Sequence, residues 1–205
     1  MKVPAMSVSD AIKNRRSIEQ FDPEHTMTET EITTLIEAAH LTPSAFNIQH
    51  WRFVNIAAPE LRQAFSEIAW HQPQITSASL LLLICMDLKA WDKHPEKYCA
   101  NSPAKRQKMV VESIRSYYGS SQEAQRDEGF RSASMAAMTL MLKAKEMGYD
   151  SCPLGGFHFE KAATLVNLPA DHAICMLVAI GKKAADPYPK EQQLALEEIL
   201  FTDSF

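Results

Sequence analysis

Ser79-Leu80-Leu81-Leu82-Leu83-Ile84-Cys85-Met86 opens with one hydroxyl and continues with seven apolar side chains. The run is far shorter than the ~20 residues needed to cross a bilayer. It reads instead as a strand buried on both faces, the pattern of the middle of a sheet. Ala173 to Gly181 repeats the pattern later in the chain, and Trp51 to Ala57 reads as a third strand.

Helical signals surround these runs. Ser9-Asp10 opens a short helix that reaches Arg15-Arg16-Ser17 before Phe21-Asp22-Pro23 breaks the chain. Thr28-x-x-Glu31 fits a capping box, with Ile32, Leu35, Ile36 and Ala39 at helical spacing, so a helix is expected to about Leu41, before Pro43. Glu60 to Ala69 reads as a helix. The polar stretch from Trp91 to Pro103 leads into another, over about Ala104 to Tyr118, interrupted by Gly119-Ser120-Ser121. Between Gln125 and Met147 the apolar residues nearly encircle the axis, which implies a helix in the interior or in a subunit contact. Gly148 is suited to end it with a left-handed cap. Ser151 to Phe157 then reads as a tight turn and Glu160 to Val166 as a short helix. After the last strand, a proline-rich arm (Asp186-Pro187-Tyr188-Pro189) leads to Leu194–Phe201, whose apolar side chains are expected to pack on another subunit. No linker divides the chain, so one domain over residues 1–205 is expected.

Composition narrows the function. The chain has 205 residues, 46% hydrophobic and 22% charged, with a formal charge of −4 and its cations scattered, which argues against nucleic acid as a partner. No membrane span is expected. Neither end carries a secretory or lipidation signal, and the cytoplasm is the expected compartment. Cys85, Cys99, Cys152 and Cys175 never form a C-x-x-C pair and read as reduced thiols. G-x-G-x-x-G, the P-loop, G-x-S-x-G and H-E-x-x-H are all missing, and the histidine spacing gives no metal site. Chemistry in such a chain is better supplied by an organic cofactor than by a side-chain nucleophile.

Three clusters suit such a cofactor, each with an ordinary alternative. Arg15-Arg16-Ser17 can grip a terminal phosphate, or can be a solvated helix end. Pro43-Ser44-Ala45-Phe46-Asn47-Ile48-Gln49 offers donors and acceptors to a polar ring edge, or is a plain helix-to-strand loop. In Cys152-Pro153-Leu154-Gly155-Gly156-Phe157 the paired glycines let backbone approach a planar ligand, or supply dihedral freedom to a turn.

In order along nearly the whole chain, R-R-S (15–17), P-S-x-x-N-x-Q-x-W-R-F (43–53), H-Q-x-Q-I (71–75) and P-x-G-G-F (153–157) resemble the nitroreductase family of FMN-dependent oxidoreductases. The resemblance implies an α+β fold: a central antiparallel-rich sheet flanked by helices, in an intertwined homodimer that exchanges C-terminal arms. It implies tightly bound FMN at the dimer interface, with Arg15, Arg16 and Ser17 on the phosphate and ribityl chain. Pro43, Ser44, Ala45 and Asn47 would reach in from the other subunit. His71, Gln72 and Gln74 would meet the pyrimidine edge, Pro153 and Leu154 the ring, and Gly155 and Gly156 the flavin N5, with the Gly156 N–H as donor. Lys190 matches the first cation of the family's tail motif, and Tyr117 and Tyr118 fall beside the open flavin face. The implied reaction is ping-pong transfer of hydride from NAD(P)H to a small-molecule acceptor, a nitroaromatic or quinone. A flavin-binding sensor or storage dimer, or another reaction of the same scaffold, is the alternative. Glu19, His71 and Glu191-Gln192-Gln193 depart from the usual pattern and thin its cationic support, for which Lys182 and Lys183 are the candidates to compensate.

Overall fold

The computed structural model describes residues 6–205. The apolar run Leu80–Met86 becomes β2 (Leu80–Asp87), an inner strand of a four-stranded antiparallel sheet. Its neighbours are β1 (Trp51–Asn55), β3 (Asp150–Leu154) and β4 (His172–Gly181), in the order β1-β2-β4-β3. All eight residues of β2 are buried, because both faces of the sheet are covered.

Period-two alternation divides its side chains. Leu81, Leu83 and Cys85 point to one core with Phe65, Ile75, Cys152, Leu154, Phe157 and Leu177. Leu80, Leu82 and Ile84 point to the other with Leu35, Ala133, Ala137, Leu140, Tyr149 and Val178. The alternation inverts within β4: Ile84 pairs with Met176 and Cys85 with Ile174, leaving Cys175 as the extra residue of a bulge. Cys175 thereby joins the face of Val178 and Ile180 while Ile174 joins the other.

The first face carries α3 (Pro59–Ile68), α4 (Gln74–Ser77) and α7 (Phe159–Leu165); the second carries α2 (Glu29–His40) and α6 (Gln122–Glu146). The capping box of α2 forms in both directions, Glu31 N–H donating to Thr28 Oγ1 (3.3 Å) and Thr28 N–H to Glu31 Oε2 (2.9 Å). Tyr149 Oη donates to the free Glu31 oxygen at 2.5 Å, tying this helix end to the chain entering β3. Helix α6 lies close on the sheet through small residues: a Cβ at Gly129 would stand 2.8 Å from Met86 Sδ. Its opposite side leaves Met135 and Met138 exposed. Gly148 has φ +77°, the left-handed cap expected after α6.

Four boundaries differ from the sequence reading. Helix α1 (Val8–Asn14) is capped by Ser7 rather than Ser9 and ends at Arg15, so Arg16 and Ser17 lie in extended chain. The expected tight turn over Ser151–Phe157 is mostly strand: Pro153 pairs opposite Val178, tolerated because β3 is an edge strand and needs no donor on its outer side. Helix α5 (Ala104–Gly119) runs as read, but α6 starts at Gln122, its end capped by Ser121. Helix α4 and three short 3₁₀ turns, at Ala45–Asn47, Pro95–Cys99 and Leu196–Glu198, lack a periodicity long enough to read. Beyond β4 the arm extends outward, and Leu194, Leu196, Ile199, Leu200 and Phe201 are exposed.

Candidate functional site

The pairing of β3 decides the site. Ser17 bridges to Ser151, and Ile18 N–H donates to the Ser151 carbonyl (3.2 Å), so the arginine cluster is fixed against the strand that carries Pro153 and Leu154. Arg15 Nε and Nη1 are buried there without a hydrogen-bond partner. Two buried guanidinium nitrogens without an acceptor are costly, and an anion placed against them removes the cost. Arg16 Nη2 donates to the Tyr188 carbonyl at 2.5 Å, which brings the arm to the same corner. Ser17 is exposed.

A ladder of side-chain amides approaches from α4. Gln74 Nε2 donates to Gln72 Oε1 (3.2 Å), and Gln72 Nε2 donates to the Gly156 carbonyl (2.7 Å), which fixes the orientation of that peptide. Gln74 is buried and its Oε1 has no partner. Gln74 Nε2 also stands 4.0 Å from Cys152 Sγ. Burial pushes the Cys152 thiol up to about 11, with Glu19 acting in the same direction and Arg15 opposing it. That thiol is protonated at neutral pH and serves packing, not nucleophilic chemistry.

The two glycines settle one of the alternatives left open by the sequence. Neither has a positive φ, so dihedral freedom is not what they supply. A Cβ on Gly155 would meet nothing within 4 Å, and one on Gly156 would meet Gln72 Nε2 at 3.3 Å and Trp70 at 3.6 Å. The absent side chain at 155 leaves open space beside a backbone held in place, a fitting edge for a flat ring.

The other expected residues assemble elsewhere. Pro43, Ser44, Ala45 and Asn47 lead into β1, at the edge of the sheet opposite β3, three strand spacings or ~14 Å across. Ser44 Oγ accepts from Gln49 N–H (3.0 Å), and Asn47 Nδ2 donates to the Tyr98 carbonyl (3.4 Å). Phe46 stands with its ring 6.2 Å from that of Tyr117, whose Oη donates to Glu128 Oε1 (3.2 Å). Tyr118 is fully buried with Ile48, Ala90, Trp91 and Ile114, and burial pushes its phenol up. Of the tyrosine pair, therefore, Tyr117 reaches the surface and Tyr118 packs the core. Lys190 is exposed on the arm. Among the described residues, no hydrogen bond or ring contact joins this second group to the first.

Backbone strain marks both groups. Of the eight non-glycine residues with positive φ among those described, Phe46, Asn47 and Gln49 lie in one group and Trp70 and His71 in the other. Such conformations cost about 1–3 kcal/mol each and concentrate at functional sites.

Residues 12–182 match the family model described as the Nitroreductase family. The chain belongs to the nitroreductase family. Protein DrgA of Synechocystis is 50% identical over 181 residues, covering 88% of this chain and 86% of its own. YodC of Bacillus subtilis, provisionally named an NAD(P)H nitroreductase, is 33% identical over 195 residues, 93% of this chain and 96% of its own. An Exiguobacterium sibiricum protein solved in complex with FMN superposes with a TM-score of 0.90 at 27% identity, covering 99% of this chain and 100% of that one.

Two features of this nitroreductase-family chain escape a reading of its sequence. Trp70 is 62% exposed beside Gly156, its ring 5.3 Å from that of His158; nothing in the sequence tells an exposed tryptophan from a core one. Asp87, Asp171 and His172 bring ligand atoms within 4.8 Å of one another at the end of β2 and start of β4. The chain's own cation already bridges them: Lys93 Nζ stands 2.9 Å from Asp87 and 2.7 Å from Asp171, holding Asp171 down at about 2.

Proposed function

We propose that this chain, folded as one domain, works in the cytoplasm as a homodimeric flavin oxidoreductase that takes hydride from NAD(P)H and reduces quinones or nitroaromatics by a ping-pong mechanism. The observation that carries the reading is that the unpartnered Arg15 nitrogens and the Gln74-Gln72-Gly156 ladder both approach Cys152 of β3, the strand that leads to the open space at Gly155. Family membership and the FMN-bound relative support it.

The residues present fit FMN. Arg15, Arg16 and Ser17 would hold its phosphate and ribityl chain, with Lys190 as a further cation. His71, Gln72 and Gln74 would meet the polar pyrimidine edge, where Gln74 Oε1 still lacks a donor. Pro153 and Leu154 would lie against the ring, and the main-chain N–H of Gly156 would face its redox nitrogen. When bound, FMN supplies the hydride and electron transfer. The protein's part is to fix the ring, donate hydrogen bonds to the edge where negative charge develops, and admit donor and acceptor in turn. The amide ladder suits that work because its geometry is set before any ligand arrives.

The sheet order supports a dimer. Pro43, Ser44, Ala45 and Asn47 sit at the edge far from Arg15, so one chain cannot close both sides of a ring. Pro43, Ser44, Ala45 and Asn47 of the partner subunit would complete the pocket, bringing Tyr117 to its open face, and the exposed arm would wrap the second copy.

Anaerobic stopped-flow mixing of the purified protein, with its visible spectrum recorded first, with NADH and with NADPH tests the reading, alongside light scattering for mass. Rapid bleaching of the flavin band by at least one donor, reoxidation by menadione, and a dimeric mass are expected. A colourless protein that refuses added FMN, or a flavin that neither donor bleaches, overturns it.

A further inference from the structure

Helix α5 stands out electrically. The chain carries −4 overall, yet residues 104–119 hold Lys105, Arg106, Lys108 and Arg115 against Glu112 alone. All four cations are exposed. Among the described residues, none of them lies within ion-pair distance of a carboxylate or donates a side-chain hydrogen bond, although exposed arginines elsewhere, such as Arg131, are paired.

We propose that the flank of α5 running from Arg106 to Tyr117, with Lys105 beside it, binds the 2′-phosphate end of NADPH, making this chain an NADPH-preferring enzyme. The inference rests on the oxidoreductase reading above and adds the choice of donor to it.

Helix geometry supplies the argument. The buried stripe of α5 contains Ile114 and Tyr118, with Val110 beside it, packed on Ile48 next to the Pro43–Asn47 loop. Arg106 and Tyr117 are eleven residues apart, which returns them to within about 20° of one another around the axis and separates them by about 16 Å. Met109 and Ser113 fall between them on the same flank. The helix is thus a ruler with an aromatic ring at one end, already against Phe46, and unpaired cations at the other. An extended dinucleotide separates its nicotinamide from its adenosine 2′-phosphate on that scale. A dianionic phosphate monoester suits the Arg106 guanidinium through paired hydrogen bonds, whereas the bare 2′-hydroxyl of NADH offers that fork no charge. Arg115 points about 180° away from Arg106 and lies outside the proposed track.

Steady-state kinetics of the FMN-loaded protein with menadione as acceptor test this. Wild type is expected to show a kcat/KM for NADPH about ten-fold or more above that for NADH. Lys105→Ala/Arg106→Ala should lower the NADPH value about ten-fold through KM and leave NADH within two-fold, while Arg115→Ala leaves the ratio unchanged. As a binding readout, 2′,5′-ADP should inhibit NADH oxidation more strongly than 5′-AMP in wild type, with that difference lost in the double variant. Equal use of both donors by wild type, or a double variant that slows both donors alike, overturns the inference while leaving the oxidoreductase reading intact. Failure of both donors to bleach the flavin instead sinks the underlying reading.

Discussion

Gly155→Ala separates the stability of this fold from its capacity to hold a ring. Glycine 155 has no positive φ, and a methyl placed on it meets no atom within 4 Å. Alanine is therefore tolerated by the protein itself, and the narrower unfolded ensemble favours folding by about 0.4–1 kcal/mol. The same methyl occupies the space where a flavin ring would lie. Forcing a methyl into a packed contact costs about 1–3 kcal/mol, which converts to a roughly 5- to 150-fold weaker FMN dissociation constant. Gly181→Ala is the converse control, because its Cβ would stand 3.0 Å from Phe21 and 3.1 Å from the Ser79 main-chain nitrogen. It should lower the melting temperature of the apoprotein without acting at the flavin site. The assay is thermal unfolding of each apoprotein together with FMN titration by quenching of flavin fluorescence. Unchanged FMN affinity in Gly155→Ala, at an unchanged or raised melting temperature, would refute the assignment of the open space to the ring.

Arg15→Ala removes the unpartnered guanidinium and should release FMN on dialysis; full retention counts against the phosphate assignment. His50 is fully buried, and burial pushes its imidazole down from 6.5 to about 4. The unfolded chain therefore takes up a proton first as the pH falls. Stability from this group is complete above about pH 6.5, declines between 6.5 and 4, and is constant below, amounting to about 3 kcal/mol in total. Urea unfolding across that window measures it, and a wild-type slope matching that of His50→Phe would exclude His50 as its source. Deleting residues 191–205 should shift the mass toward monomer and weaken FMN binding; an intact dimer would show that the exposed arm does not join the copies.

The elements with their own periodicity were legible in the chain. Leu80–Met86 announced a doubly buried strand because no polar side chain interrupts it, and Thr28 with Glu31 announced α2 because the cap is a contact over three residues. The ordered R-R-S, P-S-x-x-N, H-Q-x-Q-I and P-x-G-G-F clusters announced the family. Pro153 hid β3, since a proline speaks against a strand until the strand is known to lie at a sheet edge.

Sequence alone determined which residues are apolar, where helices can start, and which clusters have the chemistry to hold a phosphate and a polar ring, because those are properties of residues near one another in the chain. Only tertiary structure decided which clusters meet. A parallel bridge from Ser17 to Ser151 set the arginine cluster against β3, the Gln72 amide reached the Gly156 carbonyl, and the strand order sent Pro43–Asn47 to the opposite edge. It likewise sank Tyr118 into the core while leaving Tyr117 at the surface. Burial and long-range proximity depend on the path of the whole chain, and adjacent residues of one sequence can receive opposite answers.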